Sequence, residues 1–182
     1  MRVVAIGGMP GTGKTQVLRD LIFCLNKKHV FDGAFKTFKY KHYQDENVIV
    51  AGIYNGQVND GTDRLSMAVM PDAKGFVEKH IDDKFTLVFE GDRLYTKNFL
   101  VWLTKKVSDY RFLLLFASTD VRAKRYEQRG TNQSPKFIKG RATKCDNIMF
   151  DQSFFVESIQ NNDEIDRAII VSSVLNYING VN

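Results

Sequence analysis

The chain is poor in the residues that staple or ligate. Among 182 residues there are two cysteines, Cys24 and Cys145, three histidines, His29, His42 and His80, and three prolines. The two cysteines form no CxxC pair, and neither they nor the histidines fall at metal-ligand spacing. This excludes a disulfide scaffold and a zinc module and fits two reduced thiols in a cytoplasmic protein. No apolar run approaches the ~20 residues that cross a bilayer. The apolar start, Val3 to Ile6, is cut by Gly7 and Gly8, too early for a secretion signal. Repeats, low-complexity stretches and dividing linkers are also lacking, so residues 1–182 are expected to form a single domain.

What is there is an ordinary globular composition, 43% hydrophobic and 26% charged, with a net charge of +5. The charge is localised. From Asp120 to Cys145 eight cations, Arg122, Lys124, Arg125, Arg129, Lys136, Lys139, Arg141 and Lys144, face two acids, Asp120 and Glu127. That excess of six leaves the remainder close to neutral, and it suits a polyanion such as nucleotide phosphates or DNA.

The pattern of apolar residues alternates between short runs and helical stripes. Residues 2–6, 86–90 and 111–117 read as buried strands. Residues 14–25, with Val17, Leu18, Leu21, Ile22 and Leu25 on one face, read as a helix. Two β-rich runs, 34–40 and 48–54, imply a hairpin, with 41–47 as connection and the Gly/Asn/Asp-rich stretch 55–64 as loop. Helices are expected over 65–81 (interrupted at Pro71), 97–107, 119–129 and from 136 towards 159, with a last strand at 168–171 and a closing helix at 174–178. Strands alternating with helices predict a mainly parallel sheet covered on both faces, a three-layer α/β/α architecture.

Gly8-Met9-Pro10-Gly11-Thr12-Gly13-Lys14-Thr15 follows the first strand and opens the first helix. This is the G-x-x-x-x-G-K-[ST] loop in the context it requires. Its glycines let several N–H groups converge on one anion at a helix N-terminus. Gly8, Gly11, Thr12, Gly13, Lys14, Thr15 and Gln16 are therefore the expected ATP-binding set. Lys14 is placed to reach the β- and γ-phosphates and Thr15 to ligate Mg²⁺. ATP is taken over GTP by default.

Three further groups bear on phosphoryl transfer. Glu90 and Asp92, in Phe89-Glu90-Gly91-Asp92-Arg93, sit at the end of a buried strand, where an acid stands near Mg²⁺ and its waters. Glu90 is the metal-side candidate, and either can take a proton. Asp63 and Arg64, in Asp60-Gly61-Thr62-Asp63-Arg64, offer a base and a phosphate grip on the acceptor side, unless Thr62 or Asp63 simply caps a helix. Arg122, Arg125 and Arg129 share one helix face. With the loop at 130–134 they resemble a basic lid over residues 119–144, whose Arg125 and Arg129 neutralise charge on the transferred group. Tyr40, Tyr43 and Tyr54, with Lys36, Lys39, Lys41 and His42, could stack a base or be plain hairpin residues. Trp102, Phe99 and Leu103 read as core, and the histidines as packing or surface residues.

The stretches GMPGTGKT, NDGTDRLSM, VFEGDRL and RGTNQSPKFIKGRATK together resemble small P-loop kinases encoded by bacteriophages. Within these they are most similar to the 5-hydroxymethyluridine DNA kinases, over about residues 3–150. The resemblance implies an ATP-dependent kinase in the nucleotide-kinase-like P-loop fold, acting on the hydroxymethyl group of a base already in DNA, in a host cytoplasm. It implies ATP and Mg²⁺ at Gly8, Gly13, Lys14 and Thr15, an acceptor facing Asp63 and Arg64, and lid roles for Arg125 and Arg129. The acid expected shortly after the P-loop helix in polynucleotide kinases has no clear counterpart. The base therefore stays open among Asp63, Glu90 and Asp92. A nucleoside or nucleoside monophosphate kinase, and an ATP-hydrolysing DNA-binding module, are the alternatives.

Overall fold

A computed structural model describes residues 1–57, 60–131 and 133–181. Among these described residues, seven strands form one sheet: β1 (Arg2–Gly8), β2 (Val30–Phe35), β3 (Phe38–Tyr43), β4 (Val48–Ala51), β5 (Thr86–Glu90), β6 (Tyr110–Phe116) and β7 (Glu157–Gln160). Their order is β2-β3-β4-β5-β1-β6-β7. β4, β5, β1, β6 and β7 are mutually parallel, while β2 and β3 add an antiparallel edge. Six helices cover the faces: α1 (Lys14–Cys24), α2 (Met70–Lys79), α3 (Lys97–Thr104), α4 (Thr119–Gln128), α5 (Pro135–Met149) and α6 (Glu164–Asn179).

Period-2 alternation along β1 divides the core. Val4 and Ile6 pack with Val17, Leu18 and Leu21 of α1 and with Val174 and Ile178 of α6. Val3 and Ala5 face Phe76 of α2, Phe99, Leu100 and Leu103 of α3, and Ile148 of α5. Because both faces are covered, the central strands are apolar throughout rather than alternating. The result is the expected three-layer α/β/α sandwich with a mainly parallel sheet and a hairpin insertion. The carboxyl ends of β1 and β5, and the N-terminus of α1, meet at one edge of the sheet.

Four boundaries differ from the sequence reading. The alternating run 34–40 is not one strand: Lys36 turns the chain at a positive φ of 53° between β2 and β3. Part of the expected connection, Lys41 to Tyr43, therefore belongs to β3. α2 starts at Met70 rather than at 65, with Pro71 in its first turn, where a missing N–H costs nothing. The helix expected to run from 136 towards 159 stops at Met149, and a strand, β7, follows it. The short apolar run 168–171 is the interior of α6, capped by the Asp163 carboxylate, not a strand. Short apolar runs do not distinguish a buried strand from a buried helix turn.

The hairpin is held to α2 by rings. Phe76 lies with its centroid 4.9 Å from Phe38, 5.0 Å from Tyr40 and 4.6 Å from His80. Phe76→Ala should lower the unfolding free energy by about 3–5 kcal/mol in denaturant titration. A loss below ~1 kcal/mol would show that these rings do not anchor the hairpin.

Candidate functional site

The loop between β1 and α1 holds its shape because consecutive carbonyls are engaged, the first two by Lys14 and Thr12 of the loop and the next three from outside. Lys14 Nζ donates to the Gly8 and Met9 carbonyls at 2.9 and 3.1 Å, and Thr12 Oγ1 to Met9 at 2.8 Å. Tyr126 Oη donates to Pro10 at 2.7 Å, Arg125 to Gly11 at 3.0 Å, and Asn161 Nδ2 to Thr12 at 2.7 Å. The Gly13 carbonyl accepts from Val17 N at 3.0 Å and so begins α1. Among the described residues, the N–H groups of Gly11, Gly13, Lys14 and Thr15 are tied to no backbone carbonyl. They are therefore free for an anion at the positive end of the α1 dipole. Gly13 is required here: its φ is 87°, and a Cβ would lie 2.6 Å from Asn161 Nδ2.

Glu90, the last residue of β5, is 3% exposed. Thr15 Oγ1 lies 3.3 Å from its Oε1. Burial lifts its pKa to about 7, opposed by Lys14 and the Thr15 hydrogen bond and helped by Asp63 and Asp92. The neighbouring segment clamps this acid. Thr62 Oγ1 donates to the Glu90 carbonyl at 2.5 Å, and a Cβ on Gly61 would stand 2.1 Å from Glu90 Oε1. Asp60 fixes that segment, its carboxylate accepting from the N–H groups of Asn55, Gly56 and Gln57 and from Arg19 at 3.0 Å. Burial works to raise the Asp60 pKa, but those hydrogen bonds hold it below the usual carboxylate range.

A cleft of about 620 Å³ opens over these groups, lined among others by Gly13, Lys14, Thr15, Asp63, Glu90 and Asp92. Lys14, Thr15, Asp63, Glu90, Asp92 and Arg129, all expected from sequence, are thus brought together. Asp63 sits in the 3₁₀ turn Thr62–Arg64, with its carboxylate exposed. Asp92 is engaged, by Arg141 at 3.0 Å and Lys144 at 3.2 Å, which ties α5 to the end of β5. Among the described residues Asp63 and Arg129 enter no ion pair.

Five expected residues lie elsewhere: Gly8 and Thr12 belong to the loop but do not line the cleft, and Thr12 is fully buried. Arg64 is turned to Asn55 Oδ1, 2.6 Å away, and to Asp60, not to the cleft. Arg125 donates to the carbonyls of Gly11, Asn161 and Asn162, so it braces the loop rather than riding on a free lid. Burial first, then Arg167 and Arg129, lower its pKa. Gln16 donates to Asp20 within α1, at 2.8 Å. The tyrosines left open between a stacking surface and plain hairpin residues turn inward. Tyr43 is buried, Tyr40 packs on Phe76, and the Tyr54 hydroxyl is buried beside Gly61. Asn59 and Asn132, in two of the singled-out motifs, lie outside the described residues.

Asn161 and Tyr126 have no marker in the sequence, and Asp60 stood there only as a member of the acidic loop. Asn161 and Tyr126 reach the loop from 149 and 116 positions away, a separation that no local pattern signals. No group of three or more His, Cys, Asp or Glu among the described residues is arranged to hold a metal unaided. Thr15 with Glu90 fits Mg²⁺ in its usual manner, one or two protein groups with the rest supplied by phosphates and water.

This loop, sheet order and acid at the end of β5 define a P-loop protein of the small-kinase type. The model of the P-loop Nucleotide Kinase3 family matches residues 1–160, and the chain belongs to that family. No curated protein matches the sequence. Solved structures do resemble it. A gluconokinase from Sinorhizobium meliloti 1021 superposes with a TM-score of 0.52 at 11% identity, over 98% of this chain and 92% of that one. A sugar kinase from Janibacter sp. HTCC2649 gives 0.54 at 9%, over 98% and 95%. At such identity these likenesses establish the fold.

The raised Glu90 pKa carries a sign. An unfolded chain releases this proton near pH 4.5, whereas the folded protein keeps it until about pH 7. This carboxyl's contribution to stability therefore falls as pH rises through that window and stays low above it. Glu90→Gln should leave stability nearly unchanged at pH 4 and raise it by about 1–3 kcal/mol at pH 8. Thermal melts of both proteins across that range check this. A variant equally or less stable at pH 8 contradicts the buried, proton-holding carboxyl.

Proposed function

We propose that the protein is an ATP- and Mg²⁺-dependent phosphotransferase whose acceptor is the hydroxymethyl group of a pyrimidine base in DNA. The observation that carries the kinase reading is the meeting, in one cleft, of a braced phosphate loop and an exposed, unpaired carboxylate. Gly11, Gly13, Lys14 and Thr15 hold the triphosphate through N–H groups and the Lys14 ammonium. Thr15 and Glu90 would hold Mg²⁺ and its waters, and the ion would supply positive charge to offset that of the phosphates.

Asp63 accepts the proton of the acceptor hydroxyl. That oxygen bonds to the γ-phosphorus, the γ-phosphorus–bridging oxygen bond breaks, and ADP leaves with the electron pair. Arg129, unpaired on the lid side, faces the charge that develops on the transferred group. Asp92 holds Arg141 and Lys144 and serves to fix α5, which favours Asp63 as the base.

A polymeric acceptor is supported by the resemblance to DNA kinases and by the charges that the protein does not use internally. Arg125, Arg141 and Lys144 are engaged, whereas Lys124, Arg129, Lys136 and Lys139 are exposed around the lid. The sugar-kinase neighbours make a small free hydroxy compound the competing acceptor.

Lys14→Ala should lower transfer by at least ~10³-fold with an unchanged melting profile. Radiolabelled ATP offered with hydroxymethyluracil-containing DNA, free nucleosides, nucleotides and gluconate separates the acceptors. Label should enter the DNA, and charge reversal at Lys136 and Lys139 should flatten the salt dependence of its binding. Label entering only free nucleotides or gluconate would overturn the DNA reading. Hydrolysis of ATP without any labelled acceptor would overturn the kinase reading.

A further inference from the structure

The cleft contains one aromatic ring presented for contact, and it is not one of the tyrosines. Phe137 is 38% exposed and lines the cleft with Asp63, Met67, Arg93 and Arg141. Its place is set by the start of α5. Ser134 is the N-cap, its hydroxyl accepting from Phe137 N at 3.2 Å, and Pro135 pre-sets the first turn. One face of the ring is backed: the Arg141 guanidinium carbon lies 4.8 Å from its centroid. Arg141 is itself held 3.0 Å from Asp92, two residues beyond Glu90. A ring on a capped helix turn, with a tethered planar cation behind it, loses little freedom when a second planar group settles on it.

We propose that Phe137, with Arg141 behind it, is the surface on which the acceptor's base stacks, so the site selects planar heteroaromatic acceptors over aliphatic polyols. The proposal rests on the reading of the cleft as the place of a hydroxyl acceptor. It assigns the ring to the acceptor, not to the donor base, by position. The donor's phosphates lie at Gly13 to Thr15, and the Thr15–Glu90 contact marks the metal and the γ-phosphate. Phe137 is linked through Arg141 to Asp92, two residues beyond Glu90. The carbonyls of Pro10, Gly11 and Thr12 are covered by Tyr126, Arg125 and Asn161. Stacking tolerates different bases, so a second element, hydroxyl capture by Asp63, supplies the choice of atom.

The test uses Phe137→Ala, Phe137→Leu and Phe137→Trp in the full chain. A hydroxymethyluracil-containing oligonucleotide and gluconate serve as acceptors. Phe137→Ala should raise KM for the oligonucleotide by about 10-fold or more, with KM for ATP altered less than about two-fold. Phe137→Trp should restore the parent value and Phe137→Leu should not. A readout independent of turnover is the fluorescence of Phe137→Trp against the parent, whose only tryptophan is Trp102. With a non-hydrolysable ATP analogue present, the oligonucleotide should quench the new signal and gluconate should not.

Unchanged oligonucleotide KM in Phe137→Ala, full rescue by Leu, or quenching by the ATP analogue alone would each overturn the assignment. Quenching by the oligonucleotide without any transfer to it would uphold the stacking surface while the transfer reading fails.

Discussion

The structure depends on a run of carbonyls facing outward. From Gly8 to Gly13 every carbonyl oxygen has a donor: Lys14, Thr12, Tyr126, Arg125, Asn161 and the first turn of α1. A peptide plane whose oxygen is held on one side must present its N–H on the other. The anion-binding concavity is therefore not a property of the glycines alone. They permit the path, and α4 and the β7–α6 junction hold it. This explains why α4 contributes an arginine that touches backbone.

The same economy organises the acid side. Glu90 is buried because β5 lies between β1 and β4, both faces covered, and its carboxyl emerges beneath the loop where Thr15 meets it. Asp60 ties Asn55, Gly56, Gln57 and Arg19 together, leaving Asp63 as the nearby carboxylate that faces open space. Asp92 tethers α5 through two cations. The cleft thus has a fixed floor, one exposed carboxylate without an ion-pair partner among the described residues, and a rim of exposed lysines and arginines. Part of the basic excess read as a nucleic-acid footprint is spent on this internal bracing.

The loop, the strand-end acid and the layered architecture were legible because each is written in contiguous residues: a glycine-spaced motif between a strand and a helix, and an apolar run ending in Glu90. The misread elements lacked such markers. Lys36 turns the hairpin at a positive φ without a glycine or asparagine to announce it. The run at 168–171 is apolar for helix packing as it would be for a strand. The bracing by Asn161 and Tyr126, and the diversion of Arg64 to Asp60, arise from contacts between distant segments. Tyr40, Tyr43 and Tyr54 were plausible stacking residues until packing turned them inward, while Phe137 stood unremarked in a lysine-rich segment.

The central claim, that outside bracing points the Gly11–Thr15 amides at a triphosphate, is tested most directly by residue-resolved amide hydrogen exchange with and without an ATP analogue and Mg²⁺. The account predicts marked slowing at Gly11, Gly13, Lys14 and Thr15 in the parent protein. It also predicts a much weaker effect in Asn161→Ala, whose loop loses the hold on Thr12. Unchanged exchange at these amides in the parent, or equal protection in Asn161→Ala, would contradict it.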